Sequence, residues 1–213
     1  MTAITAVGLC ARGQRGLIFQ GVDADIPASS LAAVVGRGGS GRTSLLLALS
    51  GRFRLLSGRL RVGRYETPED LKEIRRVVAV ARARPAIELD QKLRVAELLA
   101  ERRAIGGPAV EGHFRTTTDL VGIDVRQSTR VEELIPTDRL LLALALALAE
   151  GPAAVVVDDV DAGSDAEDLD RVWESLRSVA DAGPTVVASA TTAPAKGLAD
   201  VLVHLPCTPD DDR

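Results

Sequence analysis

VVGRGGSGRTSLLLALSG, residues 34–51, is one residue away from a phosphate-binding loop. Such a loop reads Gly, four residues, Gly, Lys, then Ser or Thr. Gly36, Gly41 and Thr43 fall on that pattern, and Arg42 stands in the lysine position. Glycines let successive backbone N–H groups curl around a phosphate, and the start of the following helix adds partial positive charge. The flanking context is the one the motif needs: the apolar run 31–35 predicts a buried strand, and 44–49 predicts a helix directly after the loop. Gly36, Arg37, Gly38, Gly39, Ser40, Gly41, Arg42, Thr43 and Ser44 are therefore the expected phosphate-binding residues, with the Thr43 hydroxyl available to Mg2+. Arg42 keeps a cation near the phosphates, although a planar guanidinium is not interchangeable with a compact ammonium. The competing reading is a glycine-rich strand–helix turn that holds no ligand.

A second apolar run, AAVVV at 153–157, ends on Asp158 and Asp159. In parallel sheets ligands bind at the carboxyl ends of the strands, so both carboxylates are expected to face the loop. Asp158 suits Mg2+, directly or through water, and Asp159 suits orienting or deprotonating an attacking water. Acids at a solvated strand end are common; the phosphate loop upstream favours the functional reading.

Around these two sites, strands are expected at 3–9, 22–26, 59–62, 77–81, 185–188 and 201–205. Helices are expected at 93–103, around 118–121, at 140–149 and at 168–182. Strands alternating with helices predict an α/β fold with a mainly parallel sheet, and the period-two strands near the start predict a small antiparallel patch. Hydrophobic residues make up 46% of the 213 residues and charged residues 26%, enough for a packed core. Aromatics are 2%, so that core rests on Leu, Val and Ala, with Trp173 expected inside it.

The net charge of −4, with no run of Lys or Arg, argues against a dedicated nucleic-acid binder. Cys10 and Cys207 lack metal-ligand spacing and read as free thiols in a reducing compartment. No secretory signal is visible, and LLLALALALA at 140–149 falls short of the roughly 18 apolar residues that span a bilayer. A cytoplasmic chain is expected, not itself membrane-spanning, with peripheral docking on the inner face of the cell membrane left open. His113 and His204 have no partner at metal spacing and read as structural or exposed.

The order of parts resembles the nucleotide-binding domain of ATP-binding cassette (ABC) ATPases over nearly the whole chain. GVDADIP followed by AAVVGRGGSGRTSLLLALSG is similar to that family's strand, phosphate loop and helix. LLSGRLRVG resembles its next strand segment, DLVGID the run before its signature, and ALALALAEGPAAVVVDDVDAGSD its second nucleotide motif. TVVASATT resembles the strand carrying the switch histidine, and LADVLVHL the closing strand. The resemblance implies a P-loop NTPase fold of the ABC type within one domain, 1–213, with a helical subdomain at about 84–138. The acidic, Pro-containing composition of 206–213 predicts a flexible tail. It implies ATP and Mg2+ as cofactors. As partners it implies a membrane-spanning subunit and a second ABC domain, in a homo- or hetero-dimer.

Several family positions depart together. Residues 11–15 hold no aromatic to stack on adenine; Arg12 or Arg15 offers a guanidinium face for it, but a surface arginine is the favoured reading of both. The glutamine that touches Mg2+ corresponds to Arg82, which cannot coordinate a metal ion and is expected to contact phosphate instead. The signature Leu-Ser-Gly-Gly-Gln, which caps the γ-phosphate held by the opposite subunit, corresponds to Leu134, Ile135, Pro136, Thr137 and Asp138. The hydroxyl is lost at Ile135, an N–H at Pro136, and Asp138 brings negative charge towards a polyphosphate. The catalytic glutamate corresponds to Asp159, one methylene shorter, and misplacing a group by about 1 Å costs on the order of 100-fold in rate. The switch histidine corresponds to Thr191, while Asp165 keeps the aspartate of the inter-subunit loop. The expectation is an ABC-type ATP-binding subunit that binds ATP–Mg2+ weakly and hydrolyses it slowly or not at all. The alternatives are a regulatory or scaffold module without nucleotide, and a fully active ATPase with unusual motif residues.

Overall fold

Two long strands open the chain, β1 (Ile4–Gly13) and β2 (Gly16–Ile26), paired antiparallel. This computed structural model describes residues 2–14 and 16–206. Arg15, Cys207 and the acidic tail after Pro206 lie outside the described residues, so the expectations placed on them stay as they are. β3 (Leu31–Val35) follows, then α1 (Arg42–Leu49), β4 (Ser57–Val62) and β5 (Tyr65–Glu66). Next come α2 (Leu71–Val77), β6 (Val78–Arg82), α3 (Val95–Gly106) and α4 (Ala109–Val121). The chain closes with α5 (Pro136–Leu148), β7 (Ala154–Val157), α6 (Ala166–Asp181), β8 (Thr185–Ala190) and β9 (Val201–His204).

Two sheets result. One is antiparallel, in the order β2-β1-β4-β5, and the other is parallel, in the order β6-β7-β8-β3-β9. β3 and β7 are continuous apolar runs because both faces are covered, whereas β9 at the sheet edge exposes Leu202 and His204. Alternate residues separate cleanly onto the two faces. Leu31, Ala33, Val155, Val157, Val186 and Ala188 pack with α5, α6 and residues of α3 and α4. Ala32, Val34, Ala154, Val156 and Val187 pack on the other face against α1 and the inner side of the antiparallel sheet. α5 is buried at every position from Leu140 to Leu148, which explains a stretch apolar all round. Trp173 lies in the first of these clusters, as expected.

The expected elements are present with shifted ends. β2 starts earlier than residue 22, and the strand expected at 77–81 begins one residue later because α2 runs through Val77. α2 itself was not expected: its seven residues bury only Ile74, so no helical repeat is readable. Helix α6 begins where Asp165 accepts a hydrogen bond from the Asp168 amide at 2.9 Å, an ordinary N-cap.

Candidate functional site

The loop between β3 and α1 leaves the sheet at its carboxyl end, where the Gly36 amide donates to the Ala190 carbonyl at 3.3 Å. Ser40 closes a turn on the Arg37 carbonyl (3.1 Å), and Gly41 enters the helix with φ 91°. A side chain would be crowded at two glycines here. A Cβ at Gly41 would lie 2.7 Å from the Ile18 side chain, and one at Gly36 would lie 2.5 Å from the Ser40 hydroxyl. Arg37, Gly38 and Gly39 are exposed at the mouth, while Thr43 and Ser44 are half-buried on the first turn of α1. The Ser40 hydroxyl is buried without a hydrogen-bond partner among the described residues. An orphaned polar atom inside a glycine cradle at a helix start fits an oxyanion ligand such as phosphate.

Opposite the loop stands the end of β7. Asp158 is fully buried, and its two carboxylate oxygens accept from Thr43 Oγ1 at 2.7 Å and from Ser189 Oγ at 2.6 Å. The Ser189 hydroxyl also accepts the Asp159 amide at 2.9 Å. Thr43 and Asp158 thus bring one hydroxyl and one carboxylate together, the hard oxygens that Mg2+ takes alongside ligand phosphates and water. Among the described residues no group of three or more His, Cys, Asp or Glu could hold a metal ion by itself.

Arg42 does not project into open space. It is 8% exposed; its Nη2 pairs with Asp159 Oδ1 at 2.5 Å and its Nη1 donates to the Gly36 carbonyl, which leaves Nε without a partner. Asp159 adopts a left-handed backbone, φ 48°, a region that asparagine and aspartate visit more readily than most residues. Arg82 lies behind it. Its Nε and Nη2 donate to the Asp158 carbonyl at 3.0 and 2.9 Å, and Nη2 also reaches the Asp159 carbonyl. The phosphate contact expected of Arg82 is not what its Nε and Nη2 make: both donate to backbone oxygens of the acid pair. Burial holds the Arg82 pKa below its ordinary value, Arg84 adds to that, and Asp159 and Asp158 oppose it. An arginine remains charged through such a shift.

The other predicted residues take local partners. Pro136 is the first residue of α5, Ile135 before it is exposed, and Asp138 pairs with Arg171 of α6 at 3.0 Å. The amide and hydroxyl of Thr191 both donate to Asp161, the former at 2.7 Å. Arg12 and His204 are exposed. His113 is exposed too, with Nδ1 3.2 Å from the Ala149 carbonyl. Cys10 is half-buried and has no disulfide partner among the described residues, its sulfur accepting the Gly21 amide at 3.3 Å. The structure brings Gly36, Arg42, Thr43, Asp158 and Asp159 together; Thr191, Asp165 and the signature positions bond elsewhere. Sequence reasoning missed Ser189, although a lone serine in the apolar run of β8 was the available signal. Asp161 and Arg171 had none.

A glycine-rich loop between a central parallel strand and a helix, facing acids from a nearby strand, defines a P-loop nucleotide-binding fold. Within that class, the family model described as "ABC transporter" matches residues 19–162, and the chain belongs to that family as an ABC nucleotide-binding domain. An ABC transporter ATP-binding protein of Methanosarcina acetivorans is 29% identical over 80% of this chain and 33% of its own length. A protein of the same description from Archaeoglobus fulgidus is 27% identical over 81% of this chain and 60% of its own. The chain thus spans about a third to three-fifths of these two relatives. The solved dimeric structure of a bacterial ABC transporter cassette superposes with a TM-score of 0.77, at 16% identity, over 95% of this chain and 94% of that one. At that identity the likeness speaks for the fold.

Proposed function

We propose that the chain is an ATP-binding subunit of a membrane transport complex that binds ATP–Mg2+ weakly and hydrolyses it slowly or not at all. The polyphosphate would lie in the loop from Gly36 to Ser44, and Mg2+ would be held by Thr43 and Asp158, where it supplies charge neutralisation to the phosphates. One observation carries the reading: the cradle is intact, with the Ser40 hydroxyl unpartnered and Thr43 on Asp158, while the carboxylate suited to handling water is tied to Arg42. Asp159 is the catalytic candidate, and so placed one of its two carboxylate oxygens is engaged by Arg42. Its partners would be a membrane-spanning subunit and a second ABC domain. No helix among the described residues is long and apolar enough to cross a membrane. The reading places this domain on the membrane-spanning subunit, at the cytoplasmic face.

The test is thermal unfolding with millimolar ATP and Mg2+, alongside phosphate release. A ligand that binds only the native state raises its stability, by about 2.7 kcal/mol at a hundred times Kd. The expected result is a small upward shift in Tm that Arg42→Ala abolishes, with turnover below roughly 1 s⁻¹. The ion pair across the loop favours a second reading, a scaffold whose phosphate cavity is filled by its own charges. No shift with ATP, ADP or any polyphosphate would select that reading. Turnover above roughly 1 s⁻¹ that is lost in Asp158→Asn would instead establish an active ATPase.

A further inference from the structure

We propose that Asp159 is a built-in competitor for the phosphate-loop cation: its carboxylate occupies Arg42 in place of a phosphate oxygen, and Arg82 presents it there. This rests on the nucleotide-binding reading above and names how that site would be regulated. Three observations converge. Arg42 spends one arm of its guanidinium on Asp159 and another on the loop's own Gly36 carbonyl, so neither arm is free for a ligand in this state. The Asp159 side chain is 27% exposed against 9% for Arg42, so solvent and solutes reach the pair from the carboxylate side. The backbone at Asp159 is left-handed and held from both sides, its amide on the Ser189 hydroxyl and its carbonyl on Arg82. A sparsely populated conformation persists where its surroundings over-determine it. Arg82 is thus a positioning residue: its Nε and Nη2 hold the backbone of the Asp158–Asp159 turn, and it acts through Asp159.

The chemistry sets what can open the pair. A carboxylate carries one charge, whereas a di- or triphosphate brings several and also takes the loop amides, the Ser40 hydroxyl and the unpartnered Nε of Arg42. Polyphosphates would therefore displace Asp159, and a single inorganic phosphate would not. Apparent affinity is lowered by the fraction of molecules in which the pair is closed.

The experiment is calorimetric titration with ADP and with inorganic tripolyphosphate, neither of which requires turnover. Asp159→Asn removes the competitor and keeps a residue suited to the left-handed backbone; Asp159→Gly is the second variant, in case the first folds poorly. Both are expected to bind about tenfold more tightly than the wild type, the scale of one charge-assisted hydrogen bond. Deleting a negative charge near an anion site would do the same without any latch, so Arg82→Gln decides. It removes a positive charge, which alone would weaken anion binding, but it also releases the turn, and tighter binding is expected. The double variant Asp159→Asn/Arg82→Gln should bind no more tightly than Asp159→Asn alone, because both act on one contact. If the wild type binds and Asp159→Asn is no tighter, or Arg82→Gln is weaker, the nucleotide reading stands and the competitor is overturned. If neither the wild type nor any variant that melts cooperatively binds either probe, the nucleotide reading fails and the competitor with it.

Discussion

Ser189 holds the two acids of the site in register. Its hydroxyl donates to Asp158 and accepts from the Asp159 amide, and it is fully buried on the strand between the two that carry the phosphate loop and the acids. Ser189→Ala leaves a buried carboxylate oxygen and a backbone N–H each short of a partner. An unsatisfied buried group costs about 1–3 kcal/mol, so urea unfolding should lose stability in that range, with an unchanged m-value. A loss below about 0.5 kcal/mol would mean that water replaces the hydroxyl. At this scale the sequence was half legible. Motif spacing identified Gly36, Thr43, Asp158 and Asp159 as neighbours in waiting, because strand–loop–helix context is local. It did not show that Arg42 faces Asp159 or that Arg82 turns to backbone carbonyls. Those pairings join residues far apart in the chain, and the choice among several oxygens is made by packing.

Between elements, the junction of α6, β3 and β9 hangs on Asp200, the residue before β9. Its carboxylate takes Arg177 of α6 at 2.6 Å and the Leu31 amide of β3 at 2.8 Å. The Arg177 hydrogen bond, then the Leu31 amide, hold the Asp200 carboxyl below the usual carboxylate range, against a smaller effect of burial. A carboxyl whose native pKa is depressed adds stability that is fully present above its unfolded value, about 4, and is lost as pH falls through the lowered native value. Wild type should therefore unfold at a higher temperature than Asp200→Asn near neutral pH, and the gap should close on acidification below about pH 4. The gap is expected to be modest, because the Asp200 side chain is 46% exposed and solvent screens the pair. A gap that stays constant down to pH 2 would show that charge is not what Asp200 contributes. Elements were read well where an apolar run or a helical repeat exceeded its surroundings, as in β3, β7, α5 and α6. They were read poorly where burial is slight, as in α2, or where a short apolar run sits between glycines with only one residue buried, as in the early half of β2.

On the scale of the whole molecule, the question is what this surface can close upon. The resemblance assigns residues 134–138 to cap a phosphate held by an opposite subunit. Here that segment presents an exposed Ile135, a proline without an N–H at the start of α5, and Asp138, whose charge Arg171 offsets only in part. A two-fold pairing of identical chains uses the same patches on both sides, so every defect of the segment would be met twice. Pairing with a different ABC domain that has an intact signature would meet it once, leaving the site on this chain's own loop complete. The chain alone is therefore expected to sediment as a monomer with millimolar ATP and Mg2+. It should form a nucleotide-dependent one-to-one complex only with such a partner domain. A homodimer that appears on adding nucleotide would overturn this, because it would require the segment to satisfy a polyphosphate through groups it does not carry. The same geometry explains why sequence alone left homo- and hetero-dimer open. Spacing locates the segment, but only the placement of Pro136 at the helix start and of Arg171 against Asp138 shows what it offers to a facing subunit.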